Sequence, residues 1–281
     1  MTANRLSILG QRVDRLSFSE ALDQITTLAQ SNTVHHIITA NTLMLLAAEH
    51  DLALSDLISK ASVVVPESWG VAWASRTLQT SLQEFIPGID LMSQLILYAA
   101  RNNQPIALLG AKPGVARLAA DHLLRLYPGL KVIHIQDGYF SSDEEEDVIT
   151  RIRKARPTYL FVGMNVPYQE KWIAKHLEAL QVPIVMGIGG SFDVLSGALK
   201  RAPFWMRRLG IEWVFRTLQQ PWRIKRIKDL PVFMWHVWKS KEGRKRIPRP
   251  RRERSGRTMG EGEARAGASL PAKGGGEGEG T

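Results

Sequence analysis

The 281-residue chain contains no cysteine. Disulfides, a thiolate nucleophile and any zinc or iron–sulfur site ligated through sulfur are therefore excluded. No stretch reaches the ~20 consecutive apolar residues that span a bilayer, and residues 1–21 lack the apolar core of a secretory signal. Both absences lead us to expect a soluble protein of the cytoplasm. Histidine is present but scattered. His35, His36, His50, His122, His134, His176 and His236 show no metal-ligand spacing, and adjacent His35 and His36 would point to opposite faces of a strand. No metal is expected.

Charge is unevenly placed. Residues 1–199 carry 16 Lys and Arg against 19 Asp and Glu, residues 200–257 carry 19 against 4, and the whole chain has a net charge of +10. A basic segment joined to a near-neutral body predicts a partner bearing phosphates, whether nucleic acid, an anionic membrane or a phosphorylated substrate. With 44% hydrophobic and 23% charged residues, the composition is globular and the length suits one large domain or two small ones. We expect a core over 1–199, a basic, Trp-rich helical appendage over 200–242, and a tail over 243–281. The tail is Arg/Pro-rich and then Gly/Glu-rich, with almost nothing to bury, so disorder is expected there.

From residue 6 to about 190, short β-branched runs alternate with stretches of helical period, the pattern of an α/β fold with a largely parallel sheet. Strands are predicted at 6–9, 36–39, 62–65, 106–109, 132–135, 159–162 and 184–186. Ser17 with Glu20 fits a capping box, and Asp143 stands where it can cap the acidic helix start at 144–147. The appendage mixes Trp205, Trp213, Trp222, Trp235 and Trp238 with Arg and Lys, and reads as two or three amphipathic helices punctuated by Pro203, Pro221 and Pro231.

Turns follow the predicted strands at 39–41, 66–70, 110–114, 163–169 and 187–193. In an open α/β sheet such carboxyl-end turns converge on one edge and form the ligand crevice. In IALLGAKPGVA, Gly110 follows a strand and Pro113 precedes a helix, so free N–H groups could receive a phosphate; an ordinary βα turn fits equally well. In VMGIGGSFDVLSG, Gly187, Gly189 and Gly190 permit close backbone approach, and Asp193 can accept from a sugar hydroxyl or cap the next helix. In VVVPESWG, Glu67 lies just past a buried strand, where Trp69 could strip water from it and make it a proton acceptor. Thr39 and Asn41 in ITANTLM offer neutral donors and acceptors suited to a sugar, and also suit turns and caps. Arg216, Arg223 and Arg226 are spaced by seven and three and share a helix face if Pro221 only kinks the chain. Three guanidiniums on one face can hold a diphosphate. Trp and Phe beside Lys and Arg also suit a helix lying on an anionic membrane.

The strings TANTLML, VVVPESWGVAWASR, PGIDLM, LLGAKPGVA, VGMNVPYQEKWIA, GIGGSFDVLSGALKRAPFWMRRLGIEWVFR and QQPWRIKR, in this order and spacing, resemble the WecG/TagA/CpsF family of glycosyltransferases (glycosyltransferase family 26) over roughly residues 5–240. The resemblance implies a Rossmann-like core with helices on both faces and a C-terminal appendage that completes the site at the membrane. It implies inverting, metal-independent transfer from a UDP-sugar, often N-acetylmannosamine or its uronic acid, to a sugar on undecaprenyl diphosphate. Self-association is implied as well. Carried over by residue, Thr39 and Asn41 line the pocket, Gln169 contacts the donor region, and Arg216, Arg223 and Arg226 bind the diphosphate. Two positions depart from the family pattern: Glu67 stands where aspartate is usual, and Phe85 stands where arginine is common.

The expected enzyme uses Glu67 as base with Thr39 and Asn41 beside it. Gly110, Gln169, Gly189, Gly190, Asp193 and the three arginines bind substrate on the inner face of the cell membrane, in cell-surface polysaccharide or teichoic acid synthesis. No cofactor and no nucleic acid are expected, because the body of the chain shows no base-reading element. The alternative is a catalytically impaired relative that binds nucleotide-sugar or lipid diphosphate.

Overall fold

A computed structural model describes residues 5–209, 211–224 and 228–246, with backbone alone for 208 and 241–246. Arg226 and the 247–281 part of the expected tail lie outside the described residues. The chain opens with β1 (Arg5–Ile8) and β2 (Gln11–Asp14), an antiparallel hairpin. Leu9 and Gly10 both take positive φ, 51° and 79°, which matches the turn to the strand twist. The first predicted strand therefore does not join the parallel sheet. Its partner, Gln-Arg-Val-Asp, carries one apolar residue and was not predicted. Asp14 ties the hairpin down: its Oδ2 accepts from the Val64 N–H at 2.9 Å and pairs with Arg12 at 2.8 Å.

After α1 (Phe18–Leu28) come β3 (His35–Ala40), α2 (Thr42–Ala48), α3 (Leu52–Lys60), β4 (Val63–Pro66), α4 (Trp69–Thr77) and α5 (Gly88–Arg101). Next are β5 (Ile106–Gly110), α6 (Val115–Leu126), β6 (Val132–Gln136), α7 (Ser142–Ala155), β7 (Tyr159–Gly163), α8 (Tyr168–Leu180), β8 (Ile184–Gly187) and α9 (Ser191–Leu195). The six later strands form one parallel sheet in the order β4-β3-β8-β7-β5-β6, a Rossmann-like α/β arrangement. Each matches a predicted strand to within two residues at either end. Ser17 caps α1 in the expected capping box. At α7 the cap is Ser141, boxed with Glu144, and Asp143 sits inside the first turn; a hydroxyl two residues upstream took the position assigned to the aspartate.

Successive strand residues feed opposite layers, as the pleat requires. Ile37, Val63, Val65, Ile106, Leu108, Tyr159, Phe161, Ile184 and Met186 pack with α1, α5 and α6. Ala107, Leu109, Leu160, Val162 and Val185 pack with α7 and α8, and Ile38, Ala40 and Val64 with α2, α3 and α4. Each large side chain so buried contributes about 1.5–3 kcal/mol, which holds the strand ends, and the turns beyond them, in fixed register.

The appendage comprises α10 (Phe204–Arg208), α11 (Glu212–Gln219), a 3₁₀ turn (Pro221–Arg223) and α12 (Asp229–Arg246). The prolines act as start signals. Pro203 precedes α10, Pro221 opens the 3₁₀ turn, and Pro231 lies in the first turn of α12, where its missing N–H has no intrahelical partner to lose. Pro221 ends α11 and does not merely kink it, so Arg216 and Arg223 stand on separate elements and share no helix face. The α12 helix docks through Phe233 and Val237, both fully buried in the cluster of α2 and α4. Among the described residues, no helix is long and apolar enough to cross a membrane.

Candidate active site

The chain runs out along β3 and β4 on one side of the sheet, then crosses to β5 and β6 on the other, and β7 and β8 later fill the gap. Reversal of direction in strand order opens a crevice at the carboxyl ends. The residues following β3, β4 and β8 meet there.

Glu67 is held from three directions. Its own N–H donates to the Ala40 carbonyl at 3.0 Å, which keys the turn after β4 to the end of β3. Its carboxylate accepts from the Asn41 side chain and from the Gly88 N–H at the start of α5. The Asn41 amide is fully used. Its Oδ1 caps α2 by accepting from Leu43 and Met44 at 3.1 and 3.0 Å, which leaves the NH₂ to face Glu67. Gly88 leaves room for the carboxylate: a Cβ there would lie 2.8 Å from Glu67 Oε1 and 3.1 Å from Thr39 Cγ2, so a side chain would push the end of Glu67 aside. Desolvation raises the Glu67 carboxyl to about 7, and the nearby Glu170 charge adds to it. Arg216, Asn41 and the Gly88 N–H pull the other way. Trp69, expected to supply that desolvation, is itself 42% exposed.

The second wall is the turn after β8. Thr39 Oγ1 donates to the Gly187 carbonyl at 3.2 Å, linking β3 to it. Gln169 lies beneath, 1% exposed, its Oε1 accepting from the N–H groups of Met164 at 3.1 Å and Gly189 at 2.8 Å. Gln169 is therefore brought to the site as a support under the glycine turn, with both ends of its amide already bonded. Gly189 takes φ +51° with open space where a Cβ would be. Gly190 begins α9, and its Cβ position lies 3.3 Å from Asp193 Oδ2 and 3.6 Å from Arg223 Nη2. Arg223 thus reaches the glycine turn from the appendage.

Gly110 is different. It sits at the end of β5, separated from β8 by β7, and at φ +127° its Cβ would fall 2.2 Å from the Gly163 carbonyl oxygen. Close strand packing accounts for this glycine.

The appendage is fastened beside the crevice. Gln219 on α11 exchanges two hydrogen bonds of 2.8 Å with the backbone of Lys200, and Arg201 pairs with Asp90 of α5 at 2.6 Å. Arg216, anchored to Glu212 at 3.2 Å, acts electrostatically on Glu67. A cation therefore faces Glu67 from the appendage while Arg223 faces the glycine turn.

The family model for the glycosyl transferase WecG/TagA/CpsF family matches residues 6–247. The chain belongs to this family. It is 37% identical over 239 residues to the N-acetylglucosaminyldiphosphoundecaprenol N-acetyl-beta-D-mannosaminyltransferases of Staphylococcus aureus strains MW2 and NCTC 8325 / PS 47, covering 84% of this chain and 93% of each relative.

In this WecG/TagA/CpsF family member the carboxylate after the V-V-P run is Glu67, one methylene longer than the usual aspartate, and its end meets Asn41 and Gly88. Sequence reasoning missed Gly88, Glu170, His36, Asp90 and Arg201. The Pro-Gly pair opening PGID marked a helix start, the kind of place where a free N–H faces a carboxylate. Glu170, a polar residue inside a helix start that turns out to be buried, gave no signal in one dimension.

Proposed function

We propose that the chain is an inverting, metal-independent transferase that moves an N-acetylmannosamine-like sugar from a UDP-sugar to a sugar carried on undecaprenyl diphosphate. Glu67 takes the proton of the acceptor hydroxyl. The freed oxygen attacks the anomeric carbon as the bond from that carbon to UDP breaks, and UDP leaves carrying the bonding electron pair. Arg216 and Arg223 offset the diphosphate charge, with N–H groups of the glycine turn beside them. Arg226 takes part on the strength of the family resemblance alone. The observation that carries the reading is Glu67 itself: a carboxylate raised to about 7, clasped by Asn41 and Gly88 at the crevice and faced by a guanidinium.

The names of the S. aureus relatives support the acceptor class and the sugar. Exposed Phe204, Trp205, Trp213, Trp222, Ile224, Trp235 and Trp238 beside the basic residues support peripheral attachment to an anionic membrane on its cytoplasmic face.

The test is a UDP-release screen over a panel of UDP-sugars with a short-chain prenyl-diphosphate sugar as acceptor, run for the parent and Glu67→Gln. Release that depends on acceptor and is lost in the variant supports the enzyme. Binding of donor with no turnover in the parent would leave a nucleotide-sugar or lipid-diphosphate binding protein.

A further inference from the structure

A line of buried polar groups runs behind the crevice and takes no part in the chemistry above. Glu170, on the first turn of α8, is 0% exposed. Its Oε2 lies 3.0 Å from Nε2 of buried His36 on β3, and its Oε1 accepts from Gln169 Nε2 at 2.7 Å. The direction of the Gln169 amide is settled by its other end, because two backbone N–H groups, from Met164 and Gly189, can only donate to an oxygen. Gln169 therefore gives Glu170 its nitrogen and gives the turn its oxygen. Gly187 leaves the room for this. A Cβ there would fall 2.2 Å from Gln169 Nε2 and 2.7 Å from Glu170 Oε1.

Burying a carboxylate costs several kcal/mol unless it is paired and hydrogen-bonded. A well-packed apolar pair would fill the space between β3 and α8 at lower cost, so this arrangement calls for a role beyond packing. Both ends of the line point to one. Gly189, whose N–H the Gln169 amide fixes, is part of the turn that also meets Arg223 at Gly190, and Glu170 is close enough to act electrostatically on Glu67.

We propose that Glu170, held by His36, is a positioning residue for the transfer reaction: it orients the Gln169 amide that shapes the glycine turn, and places a fixed negative charge behind Glu67. The inference rests on the transferase reading. Glu67 is faced by Arg216 from α11, Asn41 from the start of α2, the Gly88 N–H from α5 and Glu170 from α8. Only Glu170 favours its protonated form. Its removal should weaken Glu67 as a base, and loss of the Gln169 strut should loosen donor binding.

The experiment compares full-length parent, Glu170→Gln, Gln169→Ala and Glu67→Gln in pH profiles of kcat/KM from UDP release, with thermal melts alongside. In Glu170→Gln the acid limb should move down by about half a pH unit or more, the direction expected when a neighbouring like charge is removed. In Gln169→Ala the KM for the UDP-sugar should rise about 10-fold, as for loss of a buried hydrogen-bonding partner, with the acid limb in place. A folded Glu170→Gln enzyme with an unmoved limb overturns the electrostatic part, and an unchanged donor KM in Gln169→Ala overturns the positioning part. If Glu170→Gln does not fold, the Gln169→Ala result decides alone. Absence of UDP release in the parent would instead remove the transferase reading itself, and full activity in Glu67→Gln would remove Glu67 as its base, so these failures are distinct from that of the positioning role.

Discussion

The pH dependence of turnover is the sharpest consequence of the site. Glu67 must be ionised to accept a proton, and its carboxyl is raised to about 7. A group titrating at about 7 is roughly 90% ionised at pH 8, half at pH 7 and 9% at pH 6, so kcat/KM should fall about tenfold between pH 8 and pH 6. Below that it should lose a further factor of about ten per unit. An ordinary exposed glutamate, at about 4.3, would give a flat profile over the same range. Glu67→Gln removes the acceptor and should lower turnover by about 10²–10⁴-fold, leaving a residual rate without the acid limb. The same shift has a stability signature of opposite sense. Because the folded state holds this proton more tightly than the unfolded chain, Glu67 costs stability as pH rises from about 4.5 to about 7, and the cost is complete above that window. At pH 8 the glutamine variant should therefore melt higher than the parent by up to about 3 kcal/mol, the equivalent of moving a carboxyl from 4.5 to about 7, and at pH 4 the difference should vanish. Steady-state UDP release and scanning calorimetry across pH 4–8 measure both. An acid limb that survives in Glu67→Gln, or one centred near 4.5 in the parent, would refute the assignment of the base.

Gly88→Ala tests the geometry without touching a functional group: the new methyl displaces the mobile end of Glu67, so turnover should fall about 100-fold, the cost of a misplacement near 1 Å, with little change in melting temperature. Arg216→Ala removes the cation that favours ionised Glu67. The acid limb should move upward, and inhibition by the product UDP should weaken by about 10-fold or more, measured as its inhibition constant. Phe233→Ala empties the seat of α12 and should cost about 3–5 kcal/mol of local packing, exposing the appendage to limited proteolysis before the core unfolds.

Much of the fold was legible in one dimension because five of the six parallel strands, all but the edge strand β6, are buried on both faces, as in Val63–Val65 and Ile106–Leu109, and so read as continuous apolar runs. Glu67 and Asn41 were legible for the same reason, since they come directly after such strands, and Thr39 stands at the end of one. The hairpin partner β2 was not, having one apolar residue in four. The arginine stripe was over-read. Helical periodicity does not continue through Pro221, where the missing N–H and the restricted φ end α11.

The sequence alone determined the layer architecture, the strand ends and the residue types at the rim, because burial period and turn chemistry are local. Only the tertiary structure decided which rim residues touch. The Gly88 N–H and Asn41 clasp Glu67, Gln169 turns inward under Gly189, Gly110 serves strand packing, and Arg216 and Arg223 reach the crevice from separate elements. These pairings join residues 20 to 150 positions apart. Their cause is the order in which the strands are laid into the sheet, a property that no local pattern of hydrophobicity encodes.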